Sequence, residues 1–211
     1  MFPTLVISAV LLLVNAVGQT ESKPNRQESE SPQQVHVRIY DYAHVPPEVV
    51  VEAKRVSSSI FQKIGVEVLW SDHSFSNPGE TAVASDSGYP KLQLRILTRK
   101  MAEKLPVKKN MTGLAFQATQ GQAARVANVF YHRVEDLAQQ RICSKGEILG
   151  HAVAHELGHL LLGNLDHSST GLMKAQLGKP ELESATRGDL LFTDGEALLI
   201  RRAVGQPNLD R

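Results

Sequence analysis

Apolar and polar residues alternate at Val35, Val37 and Ile39, a period that predicts a half-buried strand. The period then lengthens. Pro46 and Pro47 suit a first helical turn, and Val49, Ala53, Val56 and Ile60 keep helical spacing up to a stop near Gly65. Val66–Trp70 reads as a second strand, and Leu92, Leu94 and Ile96 alternate as a third. Between them, residues 71–88 are rich in Ser, Asp and Gly and read as a surface loop. Gly113–Ala118 and Arg125–Tyr131 suggest two further strands, the second leading into a helical turn at Val134–Gln139.

Two helix starts are written more strongly. Ser144-Lys145-Gly146-Glu147 is a capping box, in which serine and glutamate each satisfy a backbone N–H of the first turn. It opens a helix that Gly163 ends. Thr193-Asp194-Gly195-Glu196 is another such box, ahead of a C-terminal helix carrying Ala197, Leu198 and Ile200. Strands followed by helices in this order predict an α+β domain with helices packed behind a mixed, twisted sheet of about five strands.

Length and composition place limits on this picture. The chain has 211 residues and suits one domain, 35–211, plus flanking segments. Leu5–Val14 is almost purely apolar and Ala16-Val17-Gly18 offers small residues, so 1–18 reads as a secretory signal, too short to span a bilayer. Residues 19–34 read as a disordered linker. A secreted or periplasmic protein is therefore expected, with no membrane association once the signal is removed. The formal charge of +1 gives no basis for binding nucleic acid or an anionic membrane. Cys143 is the only cysteine, so the chain can form no internal disulfide. A small residue near a helix start is its expected role. Asn110-Met111-Thr112 is a glycan acceptor in a eukaryotic secretory route alone.

Candidate chemistry concentrates in one run. His155-Glu156-Leu157-Gly158-His159 places two imidazoles four residues apart, on one face of a helix, where they can converge on one ion. Glu156 projects beside that ion and can deprotonate a water there. Gly163 lets the chain leave the helix and bring His167 back as a third nitrogen. Three protein ligands with an open position describe a catalytic zinc site, whereas structural sites close with four. The bland alternative, two solvated histidines on a surface helix, conflicts with Ala152, Val153, Ala154, Leu157, Leu160, Leu161 and Leu162. These make the helix apolar on more than one face, and a core helix holds unpaired polar groups only at a cost.

This run resembles the zinc-binding segment of metzincin metalloproteases, most of all the matrixin branch. The resemblance rests on His-Glu-Leu-Gly-His at 155–159, Leu165-Asp166-His167-Ser168-Ser169, and Thr170-Gly171-Leu172-Met173. It implies a metzincin-like domain with zinc held by His155, His159 and His167. It also implies Glu156 as general base and Met173 as the Met-turn residue under the metal. The stretch from Val35 to about Val204 is similar to small secreted bacterial proteins of this type. One departure stands out: seven residues separate His159 from His167, more than the metzincin pattern has.

That departure keeps other ligands in view. Asp166 is a second choice as an oxygen ligand, although a turn former beside His167 is its commoner role. Glu181 is the third ligand on a thermolysin-like reading. His151 continues the ladder of His155 and His159, but lies about 12 Å along the helix axis from His159, too far for one ion. It is expected to be partly exposed, with a donor or proton shuttle as alternatives.

The function expected from the resemblance is secreted zinc-dependent endopeptidase activity on a peptide or protein substrate, by a monomer. The rival expectation is a secreted zinc-binding protein without turnover. Substrate backbone would pair with an exposed edge at Gly113–Ala118, as the family pairs substrate with its fourth strand.

Overall fold

The computed structural model describes residues 33–72, 89–106, 111–116 and 125–205. The expected signal at 1–18, most of the linker, residues 73–88 of the polar loop and the acceptor Asn110 lie outside the described residues.

Alternation builds the sheet as anticipated. β1 (Gln33–Asp41) buries Val35, Val37 and Ile39, and begins at Gln33, inside the segment expected to be linker. β2 (Val66–Asp72), β3 (Lys91–Leu97), β4 (Gly113–Phe116) and β5 (Arg125–Phe130) complete one sheet in the order β2-β1-β3-β5-β4. The first three pairings along that order are parallel and the last, β5 with β4, is antiparallel. The mixed sheet of five strands thus follows the sequence expectation. Ser71 and Asp72 extend β2 rather than starting the loop, and Asp72 is held there by Lys54 at 2.7 Å.

α1 (Pro47–Lys63) crosses between β1 and β2 and turns Ala53, Val56, Ile60 and Phe61 inward. α2 (Arg99–Ala102) and α3 (Tyr131–Ala138) are short, and α3 starts earlier than the expected turn at Val134. α4 (Lys145–Leu162) is the central element. Ser144 Oγ accepts from the N–H of Glu147, and Glu147 Oε2 accepts from the N–H of Ser144, closing the capping box. Gly163 ends the helix at φ 74°, a left-handed geometry that suits glycine.

α4 packs against α1, α3, α6, β4 and β5, and Gly146 through Leu161 are buried without exception save one shallow position at Glu147. An 18-residue helix buried on all sides explains the lack of a clean apolar stripe in its sequence. α5 (Lys179–Arg187) was not anticipated. It is polar except for Leu182 and Ala185, which dock on the core. α6 (Asp194–Gly205) is the expected C-terminal helix. Cys143 is buried and its Sγ donates to the carbonyl of Leu182 at 3.1 Å, tying α5 to the start of α4.

Candidate metal centre and active site

His155, Glu156 and His159 occupy consecutive turns of α4 and are almost wholly buried, at 7 %, 3 % and 3 % exposure. His155 and His159 are each oriented by a main-chain carbonyl. His155 Nδ1 donates to Leu172 O at 2.8 Å, and His159 Nδ1 donates to Asn164 O at 3.1 Å. A carbonyl can only accept, so the ring proton sits on Nδ1 in both residues and each Nε2 presents a lone pair.

Those two Nε2 atoms lie 3.1 Å apart. With both protons on the far side of the rings, no hydrogen bond can join them. Two lone pairs facing one another at this distance want a cation between them. Two nitrogens on a tetrahedral zinc stand about 3.3 Å apart, given metal–nitrogen bonds of about 2.0–2.1 Å. The donor set therefore fits zinc.

His167 completes the group: the candidate ligand atoms of His155, His159 and His167 all lie within 4.8 Å of one another. The ring of His167 stands 5.4 Å from that of His155 and 4.8 Å from that of His159, centre to centre. Unlike the others it is exposed, so the cluster opens to solvent on its side. Among the described residues this is the one group of His, Cys, Asp or Glu arranged to hold an ion.

The widened segment returns His167 to the cluster because the additional residues are divided. One lengthens α4 by a residue ahead of Gly163, and the other widens the turn after it. Asn164 makes use of that turn: its carbonyl orients His159, and its side-chain Oδ1 accepts from the N–H of Asp166 at 3.2 Å. Asp166 itself is exposed and outside the histidine group.

Beyond His167 the chain is fastened from below. Ser168 N–H donates to Met173 O at 2.9 Å, and Leu172 N–H donates to Leu191 O at 2.8 Å. Ser168 Oγ donates to Glu196 Oε1, while Glu196 Oε2 accepts from Thr193 N–H at 2.8 Å. The glutamate of the C-terminal capping box thus also anchors the residue after His167. Met173 is buried beneath α4. A Cβ on Gly158 would stand 2.7 Å from Met173 Sδ and 2.8 Å from the Phe192 ring, so the small residue inside the His-Glu-Leu-Gly-His run lets Met173 approach.

Burial governs the ionisation of these groups. It pulls His155 down to about 4, against the opposing hydrogen bond to Leu172, with the neighbouring imidazoles adding to the drop. It lowers His159 in the same way, His167 contributing next. Burial alone pushes Glu156 up to about 8.

The remaining candidates fall elsewhere. Glu181 pairs with Lys174 and accepts from Gly178 N–H at 3.0 Å, capping α5 rather than facing the histidines. His151 is buried, not partly exposed as the sequence suggested, and its Nδ1 bonds to Glu147 O at 2.8 Å. Lys145 and Glu147 leave the first turn open to solvent, but the face that carries His151 is enclosed. Sequence reasoning missed Leu172, Asn164 and Glu196 as the groups that orient the cluster. The first two act through main-chain carbonyls, which carry no side-chain signature. Glu196 was visible, but as a cap alone.

No family model matches the chain, and no curated protein matches its sequence. Solved structures do. A zinc-dependent peptidase from Methanocorpusculum labreanum (strain Z) aligns with a TM-score of 0.51 at 15% identity, over 79% of this chain and 99% of the other. Archaemetzincin from Methanopyrus kandleri aligns with a TM-score of 0.50 at 16% identity, over 82% of this chain and 97% of the other. The chain shares their fold. At such identity the likeness speaks for architecture, and the chemistry rests on the residues described above.

Two outcomes are expected. His167→Ala should weaken zinc binding by at least about 100-fold, whereas Glu181→Ala should leave it unchanged and cost only helix stability. Competition titration with a zinc chelator measures both. In the metal-free protein, Glu156 has a folded pKa of about 8, above its ordinary 4.5, so its contribution is lost as pH rises toward the folded value. Glu156→Gln removes that loss. Denaturant unfolding should find the metal-free variant more stable than wild type by at least about 1 kcal/mol at pH 8, with the gap closing toward pH 4.5.

Proposed function

We propose that the chain is a secreted zinc-dependent endopeptidase. The observation that carries this reading is the pair of neutral imidazoles whose Nε2 lone pairs face each other at 3.1 Å, with a buried glutamate between them in sequence. The two peptidases of the same fold support it.

Zinc bound by His155, His159 and His167 supplies Lewis-acid polarisation of a peptide carbonyl and a lowered pKa for water. The chain's own groups do the rest. Glu156 accepts a proton from the attacking water at its carboxylate and returns it to the leaving amine. Burial disfavours the charged form of this carboxyl, which helps it to take up the proton of the water. Burial lowers the pKa of both His155 and His159, so protons compete less for their Nε2 atoms.

Strand β4 offers a way to hold an extended peptide. Phe130 N–H donates to Thr112 O at 2.9 Å, which fixes the phase of the β4–β5 ladder. Antiparallel pairs alternate, so Leu114 and Phe116 face β5 with their N–H and C=O groups, and those of Gly113 and Ala115 point away. β4 is the last strand of the sheet, so this row is a free edge among the described strands. A substrate strand added there would run past Glu156, and its amides would pair with Gly113 and Ala115.

Secretion rests on the apolar run Leu5–Val14 and the small residues that follow it. No helix among the described residues is long and apolar enough to cross a membrane.

The test is mass-spectrometric cleavage of a diverse peptide library by the zinc-loaded protein, with Glu156→Gln alongside. Cuts made by wild type and reduced about 1,000-fold or more in the variant, with zinc content equal, are expected. Equal cleavage by both removes Glu156 from the mechanism. Silence from wild type with zinc bound replaces the enzyme with a zinc-binding protein.

A further inference from the structure

Gly113 lies where the edge strand passes over α4. A Cβ placed on it would stand 2.5 Å from Glu156 Oε1, 2.6 Å from Glu156 Cγ and 2.6 Å from the carbonyl oxygen of Asn128. Carbon does not approach other atoms so closely, so the carboxyl group of Glu156 occupies the space a side chain would take. Ala115, the next residue on the same face of β4, is buried and does carry a Cβ. The demand for a bare backbone is thus specific to the position facing the glutamate.

Gly113 also sits in the free row of the edge, with its N–H and C=O directed away from β5. One residue therefore meets Glu156 with its missing side chain and a substrate strand with its main chain.

We propose that Gly113 is a positioning residue for Glu156, its lack of a Cβ letting the carboxylate lie against the edge strand where the scissile peptide is held. The proposal rests on Glu156 being the proton carrier of the reading above. Gly113 touches no reacting atom of its own. It sets the distance between the base and the strand that presents the substrate, and a misplacement of about 1 Å in such a group costs roughly 100-fold in rate.

The close approach to Asn128 O supplies a purely structural alternative, in which the glycine serves β4–β5 pairing. Gly113→Ala separates the two when its metal-loaded crystal structure is compared with wild type and its kinetics are measured. The expected result is a displaced Glu156 carboxylate with the β4–β5 register kept, unchanged zinc content, kcat down about 100-fold and KM within about threefold. In a Glu156→Ala background, which removes both the carboxylate and the Cγ that crowd residue 113, the loss of thermal stability caused by Gly113→Ala should shrink by at least about half.

An unmoved Glu156 with β4 drawn away from β5, or an equal loss in both backgrounds, overturns the proposal. If Gly113→Ala does not fold, recovery of folding in Gly113→Ala with Glu156→Ala supports the clash with Glu156. Failure of that double variant assigns the clash to Asn128 and overturns the proposal. Should wild type cut no peptide, the peptidase reading falls, while the position of Glu156 in the two crystal structures still decides the role of Gly113.

Discussion

The structure depends on α4 being buried on every side while carrying His151, His155, Glu156 and His159. A polar group enclosed in protein has to be satisfied or it destabilises the fold by a few kcal/mol. Main-chain carbonyls satisfy one nitrogen of each histidine: Glu147 for His151, Leu172 for His155 and Asn164 for His159. Two of those bonds aim unprotonated nitrogens at a common point. Metal binding then completes what burial begins, because the fold has already excluded the protons that would otherwise compete. With no disulfide available, linkage of this kind also adds to the stability of the folded state.

Orientation of the cluster comes from the chain beyond α4. The turn from Gly163 to His167 supplies the carbonyl for His159, and the Met173 segment supplies the one for His155. These two pieces are bound to each other through Ser168 and Met173, and to the C-terminal helix through Ser168 and Glu196. A turn lengthened on both sides of its glycine can therefore deliver the same three nitrogens. Its ends are fixed by α4 and by the capping box of α6, and the slack is taken up between them.

Much of this was legible in the sequence. The capping box and Gly163 mark the limits of α4, and the strands β1, β2 and β3 follow from alternation at Val35–Ile39, Val66–Trp70 and Leu92–Ile96. The histidine run reads as a metal site because two imidazoles a helical turn apart inside apolar sequence have few other uses. Less was legible where long-range contacts decide. α5 has too few apolar residues to show a period, and Leu182 and Ala185 become core only when Cys143 and α4 are present. His151 looked peripheral because enclosure of the first turns depends on α1 and α3, which no local pattern announces. The contact between Gly113 and Glu156 joins residues on separate elements, and a lone glycine in a strand gives no hint of the partner it accommodates.

The most direct test of the account is zinc K-edge X-ray absorption on the metal-loaded protein at neutral pH, which counts and measures the ligands around the ion. Three imidazole nitrogens at about 2.0–2.1 Å and one solvent oxygen are predicted, the set given by His155, His159 and His167 with an open position. A shell with two imidazoles, or one containing a protein carboxylate, would contradict it, because the lone pairs that α4 and its following turn converge would then not be the ones that hold the metal.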